Sequence, residues 1–117
     1  LPSVARRSVP ILMYPKHNQA IYDVLALVGT PVPCENEAQM KPMVSVTGHI
    51  SSFFELMRTS QSFLEDSGVE VDLARTFVTA FYSSLAQGTA LCHEPLDEMR
   101  DEAATPGGLN EQSVRFL

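Results

Sequence analysis

Apolar and polar positions follow two different rhythms along this chain, and each change of rhythm marks an element. Residues 8–15, SVPILMYP, form an apolar run bracketed by Pro10 and Pro15, which predicts a short edge strand. The period then lengthens. In KHNQAIYDVLALVG, Asn18 stands where a helix N-cap is wanted, and Ile21, Val24, Leu25 and Val28 share one helical face. Gly29 follows where a left-handed residue would close the helix. The next stretch, TPVPCEN at residues 30–36, holds two prolines that forbid helix and allow a short extended piece. The first third is therefore expected to run strand, helix, strand, as the margin of something larger.

From Met43 onward the spacing predicts a long helix. Val46, Ile50, Phe53, Met57 and Leu64 recur at steps of three and four with Ser60 in one slot, Phe54 and Phe63 widen the stripe, and Gly68 ends it. A second helix, about residues 72–91, carries Leu73, Phe77, Phe81 and Leu85 on one side. Its other sides are dense in small residues: Ala74, Ala80, Ser83, Ser84, Ala86, Gly88 and Ala90. Small side chains let helix axes approach closely, which suits a tight internal hairpin and a close-packed subunit interface equally well. Pro95 interrupts the chain after Cys92, and LDEMRDEAA predicts a short acidic helix. Residues 109–117 resume helical spacing, with Leu109, Val114 and Leu117 apolar. Glycines at 48, 68, 88 and 108 recur every 20 residues, but their neighbours share nothing and indicate no repeat.

Composition narrows the function classes. With 117 residues, 44% of them hydrophobic and 19% charged, the chain reads as one globular domain rather than a disordered segment. Its net charge of −6 argues against nucleic acid or an anionic membrane surface as a partner, and the short basic cluster of Arg6 and Arg7 does not reverse that. Cys34 and Cys92 have no paired spacing and read as free thiols of a reducing cytoplasm. No apolar run approaches the roughly 20 residues that span a bilayer, and LPSVARRSVP lacks the order of a signal peptide. A chain opening on Leu1 is expected to be a processed or excised piece.

The candidate chemistry lies in ATPGGLNEQ, residues 104–112. Thr105 precedes a proline and is pushed toward extended backbone, which stops the acidic helix. Gly107 and Gly108 can take positive φ or bring bare backbone to a ligand, and a helix follows at once. Its first amides lack intrahelical partners and sit at the positive end of the peptide dipoles, so a carboxylate is the natural guest. Thr105 and Asn110 can add side-chain hydrogen bonds, or one of them can simply cap an ordinary turn. No preceding strand or full glycine fingerprint supports dinucleotide binding here. His17, His49 and His93 have no spacing that gathers a metal ion. The pairs Asp97/Glu98 and Asp101/Glu102 read as a solvated face rather than acid/base machinery. His49, beside Thr47, Ser51 and Ser52, is a candidate proton donor.

The segment EMRDEAATPGGLNEQSVRFL resembles the C-terminal signature of the pyrroline-5-carboxylate reductases, VTGHISSFFELM resembles the start of their long dimerisation helix, and the residues from YPKHNQ to VTG are similar in order to their linking piece. The resemblance runs from about Val9 to the end, and Pro-Gly-Gly is its specific part. It implies a mainly α fold, a helical dimerisation domain of the 6-phosphogluconate dehydrogenase C-terminal type, preceded by a strand-helix-strand remnant of a Rossmann-type domain. Residues 1–40 would belong to or link from that Rossmann domain, and residues 41–117 would form the dimerisation and substrate domain. It implies reduction of Δ1-pyrroline-5-carboxylate to proline with NADP or NAD, that cofactor being held by an N-terminal domain outside these residues, and a homodimer formed through the long helices. Thr105, Gly107, Gly108, Leu109 and Asn110 would cradle the substrate carboxylate. The family's hydroxyl residues after the glycines are replaced by Leu109 and Asn110, and Gly48-His49-Ile50-Ser51-Ser52 lacks the family's helix-entry proline. These residues alone are expected to be inactive as a reductase. The alternative is a free-standing helical dimerisation or small-carboxylate-binding module without catalysis.

Overall fold

The computed structural model describes residues 7–116; Arg6 and Leu117, singled out above, lie outside them. Backbone contacts divide the chain into two compact units, one reaching to Glu55 and one starting at Leu56, where the sequence pointed to a boundary after residue 40.

The first unit opens with β1 (Pro10–Met13), α1 (Gln19–Ala26) and β2 (Thr30–Pro33), the expected strand, helix, strand. The strands pair in parallel, with Pro10 opposite Thr30 and Met13 opposite Pro33. A parallel pair needs a crossover connection, and α1 supplies it. Asn18 caps α1 as its sequence position predicts, its side chain accepting the Ile21 N–H at 3.1 Å.

Gly29 does not play the part assigned to it: left-handed backbone is found at Arg7, Gly68 and Gly107, and Gly29 is not among them. Its lack of a side chain is needed for another reason. A Cβ there would stand 2.5 Å from the Val9 carbonyl oxygen and 2.7 Å from Ile11 Cδ1, because the chain leaving α1 presses directly on β1 as Thr30 N–H bonds to Val9 O at 2.8 Å. Met13 and Cys34 form the small buried core here, with the Cys34 thiol 3.9 Å from Met43 Sδ. Ile21, Val24 and Val28 of the predicted apolar face stay largely exposed.

The long helix expected from Met43 is two helices. α2 (Glu37–Val46) begins earlier, runs through Pro42, and is joined by a 3₁₀ turn at Thr47–His49 to α3 (Ile50–Asp66). Asn36 caps α2 by accepting the Gln39 N–H at 3.1 Å, and the Gln39 side chain accepts the Glu35 N–H at 2.9 Å. Val46 therefore belongs to α2, in a different helix from Ile50 and Phe53.

The second unit holds the rest of α3, then α4 (Val71–Leu91), α5 (Leu96–Ala103) and α6 (Leu109–Val114). Gly68 ends α3 as expected, with φ of +90°, its N–H on Glu65 O and the Val69 N–H on Leu64 O, the paired bonds that close a helix C-terminus. Glu70 caps α4 by accepting the N–H groups of Asp72 and Leu73. On α4 the buried positions are Ala74 and Val78, and one helical step further Tyr82 shares a 3.0 Å hydrogen bond with Ser60 of α3. Residues four apart lie on one helical face, so this is the side of α4 turned toward α3. The stripe of Leu73, Phe77, Phe81 and Leu85 remains exposed, at 62%, 60%, 46% and 52%.

Candidate functional site

The Pro-Gly-Gly turn joins α5 to α6. The acidic helix stops at Ala103 and its carboxylates are exposed, as a solvated face requires. Gly107 then takes φ of +75°, a region where an L side chain is strained, and Gly108 is extended at φ −79° and ψ 172° and caps α6. The turn is tight: Gly108 N–H bonds to Thr105 O at 2.8 Å, and a Cβ on Gly108 would stand 2.9 Å from that same oxygen.

Neither Thr105 nor Asn110 caps the helix. Thr105 contributes its backbone carbonyl to the turn, and Asn110 turns back so that its side-chain amide donates to Ala103 O at 2.8 Å, tying α6 to the end of α5. Leu109 is 82% exposed. Two residues that the sequence reading passed over hold the turn instead. The Glu111 carboxylate accepts the Gly107 N–H, and the Gln112 side-chain amide donates to Gly107 O at 3.1 Å. Glu111 also pairs with Arg115 at 3.1 Å, one helical step on. The missed signal was an acidic residue in the first turn of a helix, where the dipole favours it; its carboxylate sits on the amide that the sequence had assigned to a guest.

The remaining polar opportunity is the first turn of α6. The amides of Leu109, Asn110 and Glu111 precede the point at which intrahelical partners begin, and no side chain caps them. The arrangement can hold one anion at Gly107 and present further donors beside it.

His49 belongs to the other unit and is described separately. It ends the 3₁₀ turn, is exposed, and with Thr47 borders a groove of about 540 Å³ whose walls include Val9, Pro10, Ile50 and Phe53. A polar edge on an apolar groove suits a group that touches a small ligand, but the nearby Ser51 and Ser52 do not line it.

One titrating group departs from its ordinary behaviour. The Glu35 carboxyl is held below the usual carboxylate range by its hydrogen bond to the Lys16 ammonium, then by that group's charge, with burial opposing and His17 adding slightly. Cys34 and Cys92 are both free thiols, the first buried. Among the described residues no three His, Cys, Asp or Glu side chains gather as a metal site, and no helix is long and apolar enough to cross a membrane.

The chain between β1 and α1, residues 14–18, contains no glycine, so this strand-to-helix turn does not fit a dinucleotide pyrophosphate, which requires bare backbone there. No family model, curated protein or solved structure matches this chain.

Proposed function

We propose that this chain is the dimerisation and substrate-carboxylate part of an oxidoreductase resembling the pyrroline-5-carboxylate reductases, which reduces a cyclic imine carboxylate to proline with NADPH or NADH. The observation that carries the reading is the Pro-Gly-Gly turn, whose Gly107 amide holds a carboxylate, that of Glu111, next to the uncapped first turn of α6. A substrate carboxylate takes the place of Glu111 at Gly107, and Glu111 stays paired with Arg115. Gly108 keeps the backbone close enough for both contacts, since any side chain there meets Thr105 O.

A nicotinamide, held by a domain outside these residues, would supply the hydride for such a reduction. The chain's own part is to fix the carboxylate so that the imine is presented in one orientation, the kind of positioning that lowers the entropy cost of reaction. The exposed stripe of Leu73, Phe77, Phe81 and Leu85 supports association of two copies through the long helices.

The test is NADPH oxidation by the natural full-length protein supplied with Δ1-pyrroline-5-carboxylate. Turnover is expected, with KM raised on the order of tenfold or more in Gly108→Ala and kcat changed less, as loss of ground-state binding predicts. Absence of turnover, or a Gly108→Ala variant with unaltered KM, contradicts the reading.

A further inference from the structure

A thioether sulfur is oxidised where an oxidant reaches it, so exposure ranks the methionines of this chain. There are five. Met13 is buried, Met40, Met57 and Met99 are half-buried, and Met43, at 39%, is the most open.

Met43 also covers a thiol. Its Sδ lies 3.9 Å from Cys34 Sγ, and Cys34 is fully buried, at 0%. The thiol also donates to the Val32 carbonyl at 3.5 Å, and both contacts are weak, as thiol hydrogen bonds are. Cys34 itself is anchored just past β2, its N–H bonding to Met13 O at 2.8 Å. The start of α2 is anchored as well, by the Asn36 cap and by the bond from the Glu35 N–H to the Gln39 side chain. Two fixed elements thus bring an exposed sulfur against a buried one, and the cover is an unbranched side chain with three rotatable bonds.

We propose that Met43 is an oxidation site and that its conversion to the sulfoxide opens the Cys34 thiol to solvent. With hydrogen peroxide as oxidant, a lone pair of the Met43 sulfur takes one peroxide oxygen, the O–O bond breaks, and the other oxygen leaves as water with both hydrogens. The sulfur loses two electrons and the peroxide gains them. The contact with Cys34 is apolar before this step and polar after it. A sulfoxide oxygen held against a buried thiol exchanges water for a weak donor, which is unfavourable. The oxygen therefore turns to solvent and takes the side chain off Cys34. Reduction by a methionine sulfoxide reductase restores the thioether and the cover. None of these residues belongs to the Pro-Gly-Gly turn, so the device is independent of the reductase reading.

Hydrogen peroxide treatment of the natural full-length protein tests this, with peptide mass spectrometry reading each methionine and iodoacetamide reading Cys34. The expected order is sulfoxide at Met43 ahead of the other four methionines of this chain, with Cys34 still reduced. Alkylation of Cys34 is then expected to run on the order of tenfold faster than before treatment, as access to the thiol allows. Met43→Leu keeps an apolar side chain of similar size over the thiol and is expected to alkylate slowly before and after peroxide. Methionine sulfoxide reductase is expected to return the oxidised protein to the slow rate. Sulfoxide forming first at another methionine overturns the proposal, and so does a Cys34 alkylation rate that oxidation leaves unchanged. An equal acceleration in Met43→Leu also overturns it, since it assigns the opening to damage elsewhere.

Discussion

The carboxylate of Glu111 holds the Gly107 amide and the Arg115 guanidinium at once, so this one side chain competes with any anion entering the turn. Removing its charge without changing its size weakens its hold on the Gly107 N–H, because a neutral carbonyl accepts less strongly than a carboxylate. In Glu111→Gln, proline is expected to bind the full-length protein several-fold more tightly, measured by calorimetric titration; unchanged or weaker affinity shows that Glu111 is not the competitor. Gly29 makes a purely structural prediction. Its Cβ would lie 2.5 Å from a backbone oxygen that cannot move without β1, so Gly29→Ala should cost about 1–3 kcal/mol in urea unfolding, the usual range for overpacking. The Lys16–Glu35 pair predicts a pH dependence. Because the folded carboxyl titrates below its ordinary 4.5, its contribution is present above that value and is lost as pH falls through the folded one. The pair is exposed and the effect is therefore small. Lys16→Met should bring the stabilities at pH 7 and pH 3 closer together, seen as converging urea midpoints.

At the scale of elements, local signals were legible where one residue decides the outcome. Asn18 capped its helix, Gly68 closed α3, and the prolines at 10, 31 and 33 confined both strands to the short pieces observed. The sequence reading began its helix at Met43 from the apolar spacing and so missed the start of α2 at Glu37, on the far side of Pro42, a residue normally excluded past the first turn. Asn36 and Gln39 carried the contrary signal, a capping pair at a spacing of three, and the helix runs on through Pro42. Asn36→Ala should therefore cost about 1 kcal/mol, as loss of a cap does, measured by thermal unfolding; no loss would mean that α2 is held by packing alone. The candidate site was legible to a lesser degree. The turn and the following helix were predicted, and of the two glycines allowed a positive φ only Gly107 takes it, but which donors remained for a guest depended on Glu111, Gln112 and Asn110 folding back onto the turn, contacts of side chains that no spacing rule specifies.

For the whole molecule, burial is the telling quantity. Among the described residues only Met13, Gly29, Cys34, Ala74 and Val78 are buried, and the aromatic stripe of α4 is open, with the Phe77 and Phe81 rings stacked at 6.2 Å and 4°. Periodicity identified the stripe but not what covers it, because a core and an interface present the same pattern along a helix. If the stripe joins two copies, the Phe77→Glu, Phe81→Glu double variant should sediment as a monomer where the unsubstituted protein is a dimer; a monomeric unsubstituted protein removes that part of the account.

The central claim is that the front of α6 receives a substrate carboxylate. It is tested most directly by amide NMR of the natural full-length protein titrated with proline. The account predicts saturable shifts concentrated at Gly107, Leu109, Asn110 and Glu111 that Gly108→Ala abolishes. Shifts that leave those four amides unmoved while proline binds elsewhere, or no binding at all, would contradict it.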